Sequence, residues 1–415
     1  VRALRKVLTT RGRAFVGAGV TLVLAGVFFG FPDLTRFGVL LIALPLVSAA
    51  LVRTRRTRMR IERHSSPERV AVGQEAHVAL SFENVSPGTT PLFLAEERLD
   101  HTLGDRPRFV VGRIPPGRVR TIDYTVRSHL RGRHRLGPLG VQVQDPFGLA
   151  NRHAVLEGSS DLVILPAVHA LGSSRHPSSG AGSEGEQAHL IALHGEDDVT
   201  IREYRDGDDL RRIHWPATAR TGDLMVRQED RPAQRRAVVV LDPRPTAHGG
   251  SGAGSSFEWA VSAVASVAVH LVTAGYAVHL VTAETVASAR AAETLGIDEM
   301  LDVLALTGQH DDTGSDEILR ASQALAGAGG FVVAVLGPCD REATGRVASL
   351  RQPGTTGLAL VVEAREFGEA PDADPAGEHV DLLRAAGWRA VRVGPHDAVA
   401  DAWSDLTAAT VGSTR

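Results

Sequence analysis

The densest concentration of side chains able to do chemistry runs from Arg202 to Arg231. Its bases are Arg202, Arg205, Arg211, Arg212, Arg220, Arg227 and Arg231, and its acids are Glu203, Asp206, Asp208, Asp209, Asp223, Glu229 and Asp230. The two sets balance. That is the pattern of guanidinium forks facing carboxylates, not of a basic stripe tracking a phosphate backbone. No nucleophile stands beside an evident base, and His214 has no orienting partner in the sequence, so these residues offer recognition rather than bond-breaking. Trp215 lies among arginines, and both residue types anchor protein interfaces. Two readings stay open: an ion-pair latch between domains, or a docking surface for a partner protein. The candidate residues for either are Arg202, Tyr204, Asp208, Asp209, Arg211, Arg212, Trp215 and Arg220.

Local pattern predicts how this stretch is held. Gly207-Asp208-Asp209 reads as a turn leading to a helix N-cap, with Leu210, Ile213 and Ala217 on a buried helical face and Pro216 limiting its length. Thr221-Gly222-Asp223 reads as a turn and Leu224-Met225-Val226 as a short strand.

The flanking segments fall into different classes. Residues 1–60 carry eleven basic side chains against Asp33 alone, a net +10; the whole chain's −3 leaves −13 on the remainder. An acidic remainder argues against nucleic acid as a partner. Ala14 to Gly30 and Leu34 to Val52 are apolar runs approaching the ~20 residues that cross a bilayer, separated by Phe31-Pro32-Asp33. Basic clusters before the first run and after the second place both ends of this hairpin in the cytoplasm. Pro67 to about Pro166 alternates with period two, as at Val78, Leu80 and Phe82, at Ile122, Tyr124 and Val126, and at Leu139, Val141 and Val143. This predicts an antiparallel sandwich, with a turn at Asp145-Pro146-Phe147-Gly148. The basic run Arg131–Pro138 that precedes this turn reads as a solvated face, with an acidic-lipid or partner contact as the alternative. Gly172 to about Gln187, rich in Gly and Ser, reads as a linker. Beyond Ala237, short apolar strands alternate with helices, which implies a mostly parallel sheet covered on both faces, Rossmann-like or von Willebrand factor A-like. The expected organisation is a transmembrane hairpin at 1–60, a β-sandwich at 61–170, a linker at 171–188, the charged motif at 189–236 and an α/β domain at 237–415. The single cysteine, Cys339, excludes an internal disulfide framework.

Arg202-Glu203-Tyr204, Gly207-Asp208-Asp209, Arg211-Arg212-Ile213, Trp215, Ala219-Arg220 and Val226-Arg227 together resemble the bacterial family catalogued as domain of unknown function 58. Where the family pattern carries an acidic residue before the tryptophan, this chain has His214. The resemblance implies a membrane-anchored protein with a sandwich-like domain and a von Willebrand factor A-like domain. It also implies a MoxR-type AAA+ ATPase as partner, and no established enzymatic activity.

A von Willebrand factor A domain can hold a divalent cation through Asp-x-Ser-x-Ser after its first strand. Asp242 matches the first position, but Arg244 and Thr246 stand at the serine positions, and a guanidinium can satisfy Asp242 without an ion. The expectation is a degenerate site; Asp242, Thr246 and Asp340 are its weak candidate ligands, Mg the ion that hard oxygens would favour. The run His248–Gly254 fits no phosphate-binding motif and reads as a disordered surface loop. Ser251 lacks a hydrolase elbow, and Cys339 reads as a packed thiol. No catalytic residue, cofactor or metal is therefore assigned. The reading is a non-enzymatic, membrane-anchored scaffold or adaptor, two-pass in the inner or plasma membrane with cytoplasmic soluble domains. The alternatives are a metal-dependent hydrolase using Asp242 and Asp340, and an adaptor that binds envelope material through the sandwich. Protease added outside intact spheroplasts is expected to leave the C-terminal region uncut; its digestion would overturn the cytoplasmic topology.

Overall fold

The computed structural model describes residues 7–54, 58–172, 200–204, 213–228, 235–309, 315–327, 331–352, 355–369 and 376–408. The chain divides into two units, Val1–Ile164 and Leu165–Arg415.

The first unit opens with helix α1, Thr10–Phe29, and helix α2, Pro32–Thr54, both long and apolar enough to cross a membrane. Their packing is inverted relative to a water-soluble hairpin. On α1 the buried residues are Gly12, Gly19 and Gly26, seven apart, while Leu24 and Phe28 are exposed. Gly19 faces Gly38 of α2 so closely that a Cβ on either would lie 2.7 Å from the other's carbonyl oxygen. Small residues inside and large apolar residues outside is how helices pair in lipid, where apolar burial between helices gives no drive and close backbone approach does.

Strands β1 (Met59–Ser66), β2 (Arg69–Ala71), β3 (Glu75–Asn84), β4 (Phe93–Leu99), β5 (Arg108–Val111), β6 (Val119–Arg127), β7 (Gly132–Gln144), β8 (Asn151–Leu156) and β9 (Ser160–Leu165) follow. They form a three-stranded sheet, β1-β3-β6, and a six-stranded one, β2-β9-β7-β4-β5 with β8 paired to the far half of β7. The period-two residues of both sheets meet in one core, with Val78, Leu80 and Phe82 packed among Phe93, Leu139 and Leu162. Arg133 and Arg135 of β7 face solvent while His134 and Leu136, which alternate with them, are buried. Across the core, Arg63 of β1 meets Glu97 of β4 with both side chains almost wholly excluded from water, Nε to Oε1 at 2.8 Å and Nη2 to Oε2 at 3.4 Å. Burial pushes the Glu97 carboxyl up, and the opposing pull of the Arg63 guanidinium offsets only part of that rise.

The turn after β7 joins sandwich and hairpin. The Asp145 carboxylate accepts the Phe147 and Ala150 amides at 3.0 and 2.6 Å, fixing residues 145–150. The segment before α1 docks on it. The Thr9 amide donates to the Leu149 carbonyl at 3.0 Å, the Thr9 hydroxyl to the Gly148 carbonyl at 2.7 Å, and the Asn151 amide to the Val7 carbonyl at 2.8 Å. A Cβ at Gly12 would overlap the Leu149 carbonyl, so α1 rests directly on this turn.

The second unit holds β10 (Thr200–Glu203), helix α3 (Trp215–Thr221), β11 (Met225–Gln228), β12 (Arg236–Leu241), α4 (Ser256–Thr273), β13 (Ala277–Val281), α5 (Ala283–Ala287), α6 (Ile297–Leu306), α7 (Ser315–Ala326), β14 (Phe331–Leu336), α8 (Arg341–Ala348), β15 (Gly357–Val362), α9 (Ala376–Ala385), β16 (Arg389–Val393) and α10 (Val399–Thr407). Strands β12 to β16 form a parallel sheet in the order β13-β12-β14-β15-β16. Their near-continuous Val, Leu and Ala runs follow from burial on both faces. Phe257, Met300 and Trp403 cover one face; Ile318, Val347 and Leu383 cover the other. Helix α4 is itself long and apolar enough to span a bilayer, yet 67% of its apolar window is buried in the protein, where it serves as the central core helix. The linker expected over residues 172–187 falls almost wholly outside the described residues.

Removing one member of a buried ion pair strands the other, at a cost of about 3–5 kcal/mol. Glu97→Ala should therefore destabilise the sandwich by about that much in denaturant unfolding, and Arg63→Met combined with Glu97→Leu should recover most of the loss. Equal losses in the single and double variants would show that a stranded guanidinium is not the source of the loss.

Candidate functional site

The charged stretch folds as a ribbon and a short helix. β10 pairs antiparallel with β11, Arg202 opposite Val226 and Glu203 opposite Met225. The Tyr204 amide donates to the Leu224 carbonyl and the His214 amide to the Met225 carbonyl, each at 2.8 Å. The Thr218 hydroxyl accepts the Met225 amide at 3.0 Å. These bonds clamp α3 onto the ribbon.

The helix does not begin where sequence pattern placed it. Asp208, Asp209, Arg211 and Arg212 lie outside the described residues. Ile213 makes an extended bridge to Val226, and α3 starts at Trp215 with Pro216 in its first turn. Proline is well placed there, because its missing N–H is one of the donors a helix start leaves unused. Pro216 thus opens the helix instead of stopping it. His214 is the N-cap, its Nδ1 accepting the Ala217 amide at 3.1 Å, so a ring nitrogen does what an acidic residue's oxygen would do there. Gly222 closes the helix at φ 84°. On this platform Trp215 is 67% exposed, Arg220 is exposed and Tyr204 half-buried. Arg202 is placed by its backbone on β10.

A second cluster sits where the sheet order reverses, at the carboxyl ends of β12 and β14, the position at which open α/β sheets usually bind ligands. Asp242 accepts four hydrogen bonds there. Arg244 supplies three, from Nε at 2.9 Å, from Nη2 at 2.6 Å and from its own amide at 3.1 Å; the Gly337 amide adds one at 3.3 Å. Burial alone would raise the Asp242 carboxyl, but the Arg244 bonds and charge outweigh it and hold the group below the usual carboxylate range. Thr246 is exposed on the turn Pro245–Ala247. Asp340 lines the same cavity as Asp242, a space of about 310 Å³ that Arg244, Cys339 and Asp316 also border. The Asp340 carboxylate is engaged as the N-cap of α8, accepting the Ala343 amide at 2.7 Å. The structure therefore brings Asp242 and Asp340 to one cavity but turns each carboxylate to a structural task, and it sets Thr246 apart from them.

The run from His248 differs from the disordered surface loop its composition suggests. His248 is buried and Gly250 is tied to the Glu369 carbonyl by its amide at 2.9 Å. His248 Nε2 lies 2.9 Å from the Asp242 carbonyl, which can only accept, so Nε2 carries the proton. Nδ1 then accepts from the Ser256 hydroxyl at 3.1 Å, and that oxygen accepts the Gly249 amide at 3.0 Å. Sequence reasoning missed His248 and Ser256. Their one signal is that a histidine follows Asp242 by six residues, and glycine content masked it. Cys339 is packed as expected, its Sγ 3.1 Å from the Thr344 hydroxyl, with His379 Nδ1 2.8 Å from the same oxygen.

Burial holds His248 below its ordinary 6.5, and burial with the nearby Arg236 charge does the same for His279. The folded protein then binds these protons less readily than the unfolded chain. Their contribution to stability is complete above 6.5 and is lost as pH falls through 6.5 toward the folded values. The α/β unit should melt at progressively lower temperature as pH drops below that point, and His248→Asn, a neutral donor and acceptor, should flatten the slope while His279 leaves a residue of it. An identical slope in both proteins would remove His248 from the account.

Comparison with known proteins bears on the segment containing the ribbon. The chain is 24% identical over 151 residues to the uncharacterized protein YeaD of Bacillus subtilis (strain 168), a match covering 35% of each chain. The CARDB domain of the PF1109 protein from Pyrococcus furiosus aligns with 27% of this chain and 90% of its own, at 14% identity and a TM-score of 0.21. A putative late embryogenesis abundant protein, At2g46140.1, aligns over 28% of this chain and 76% of its own, at 15% identity and a TM-score of 0.18. Residues 200–322 match the model for the protein family of unknown function DUF58, so that segment of the chain is similar to this family.

Proposed function

We propose that this protein is a membrane-anchored, non-enzymatic scaffold that presents the β10–β11 ribbon and helix α3 to a partner protein. The observation that carries the reading is Trp215: a tryptophan 67% exposed, at the start of a helix fixed at both ends by caps and along its side by the ribbon. A rigid aromatic held out of the core is the form an interface anchor takes. The partner in this proposal is a MoxR-type AAA+ ATPase, as the family resemblance implies. The parallel sheet and the position of Asp242 support treating the α/β unit as von Willebrand factor A-like, with the Arg244 guanidinium standing in for a cation. The basic flanks of the hairpin support a cytoplasmic location for both soluble parts.

The test is co-purification of the full chain, tagged at its C-terminus, from mildly solubilised membranes with and without ATP. Trp215→Ala should lose an ATP-dependent AAA+ partner while its melting temperature stays at the wild-type value. A lowered melting temperature with the partner retained would assign Trp215 to a latch within the protein instead.

A further inference from the structure

The joint between hairpin and sandwich leaves a cleft of about 710 Å³ beside the last turn of α2. Leu51 and Val52 of that helix form one wall; Leu92, Val110, Gln142 and Arg113 are among the sandwich residues opposite. Leu92, just before β4, is 57% exposed, Val110 on the outer face of β5 is 67% exposed, and Phe147 on the adjoining turn is 63% exposed. Val52 also walls a second cleft, of about 250 Å³, whose other lining residues are Val7, Arg53 and Arg152. An apolar groove and a pair of guanidiniums thus lie on either side of one helix turn.

Their depth follows from the fold. α2 ends at Thr54, so Leu51 to Arg53 mark the level where hydrocarbon gives way to headgroups if the helix spans a bilayer. The Thr9 bonds to the 145–150 turn, together with the Asn151 amide's bond to the Val7 carbonyl, hold the sandwich at that level. Exposed Leu, Val and Phe side chains near Arg53 and Arg152 are suited to an interface of acyl chains and phosphates, where arginine binds phosphate through its planar fork.

We propose that this joint is a binding site for an anionic phospholipid. The headgroup phosphate lies between Arg53 and Arg152, and an acyl chain follows Leu51, Leu92 and Val110. The proposal rests on the membrane-anchored reading, because only a spanning α2 brings the clefts to headgroup depth.

The full chain is placed in nanodiscs of phosphatidylcholine alone or with phosphatidylglycerol, and lipids retained on release into detergent are counted by native mass spectrometry. Phosphatidylglycerol should be retained over phosphatidylcholine, and Arg53→Gln with Arg152→Gln should weaken that preference roughly tenfold. In parallel, Leu92→Trp in nanodiscs with brominated acyl chains should give a quenched emission component that Trp215→Ala does not alter. Equal retention of the two lipids, or an unquenched Leu92→Trp, overturns the site while leaving the anchor intact. Release of the wild-type chain from membranes by alkaline carbonate overturns the anchor, and the site with it. If the arginine double variant fails to fold, the Leu92→Trp result decides.

Discussion

The first unit depends on one short turn. Asp145 places its carboxylate over the amides of Phe147 and Ala150, which turns the carbonyls of Gly148 and Leu149 outward to receive Thr9. The junction between apolar hairpin and sandwich therefore rests on hydrogen bonds to backbone carbonyls, each contributing on the order of 1 kcal/mol, with Gly12 admitting the helix to contact distance and Leu8, Ala49, Val52 and Ala150 packed together beside them. Apolar contacts alone would leave the angle between the two parts adjustable. Two backbone bonds, one bond from the Thr9 hydroxyl and a glycine contact specify it, because each has a narrow geometric range. The hairpin and sandwich therefore keep one relative orientation, and the cleft beside Leu51 keeps a fixed place next to the last turn of α2.

In the α/β unit, carboxylates at the ligand-binding edge of the sheet are committed to the fold. Asp242 takes Arg244, Asp340 caps α8, and Glu363 accepts the Ala376 amide at the start of α9 at 3.1 Å. A buried carboxylate must be compensated, and an arginine two residues on is a local and permanent source of positive charge. Arg244 is part of the chain, so the Asp242 carboxylate has its compensating charge wherever the strand end is folded.

Much of the architecture was legible because it rests on periodicity. The two apolar runs, the alternation at Val78, Leu80 and Phe82, and the buried strand from Ala237 each follow from which faces are covered, and a face repeats along the chain. The seven-residue spacing of Gly12, Gly19 and Gly26 was also in the sequence, but its meaning depends on a partner helix that spacing alone does not supply. What stayed hidden was local and three-dimensional. Pro216 can open a helix or end one, and only the pairing of Ile213 with Val226 decides. His248 looked like part of a glycine-rich loop because its partners, the Asp242 carbonyl and the Ser256 hydroxyl, come from opposite sides of it. For the charged motif itself, composition named the residues worth watching but not their roles: Trp215 and Arg220 stand exposed, while His214 is used in the helix cap.

The exposure of Trp215 has an energetic meaning. A tryptophan side chain buries up to about 150–250 Å², and apolar area removed from water is worth roughly 25 cal/mol per Å². With 67% of the residue exposed, about 2.5–4 kcal/mol of burial remains unrealised in the free protein. Some exposed apolar surface is normal on any protein. The hairpin's exposed Leu and Phe side chains stand on helices long and apolar enough to cross a membrane, and Leu92 lies near the end of the second. Trp215 belongs to the other unit and stands on a helix whose ends and flank are already bonded, so no local rearrangement is needed to hold it out. A deficit of this size, concentrated in one preordered side chain, is comparable to what a single anchor residue contributes at a protein interface. Covering Trp215 would therefore stabilise a complex without further ordering of the platform beneath it.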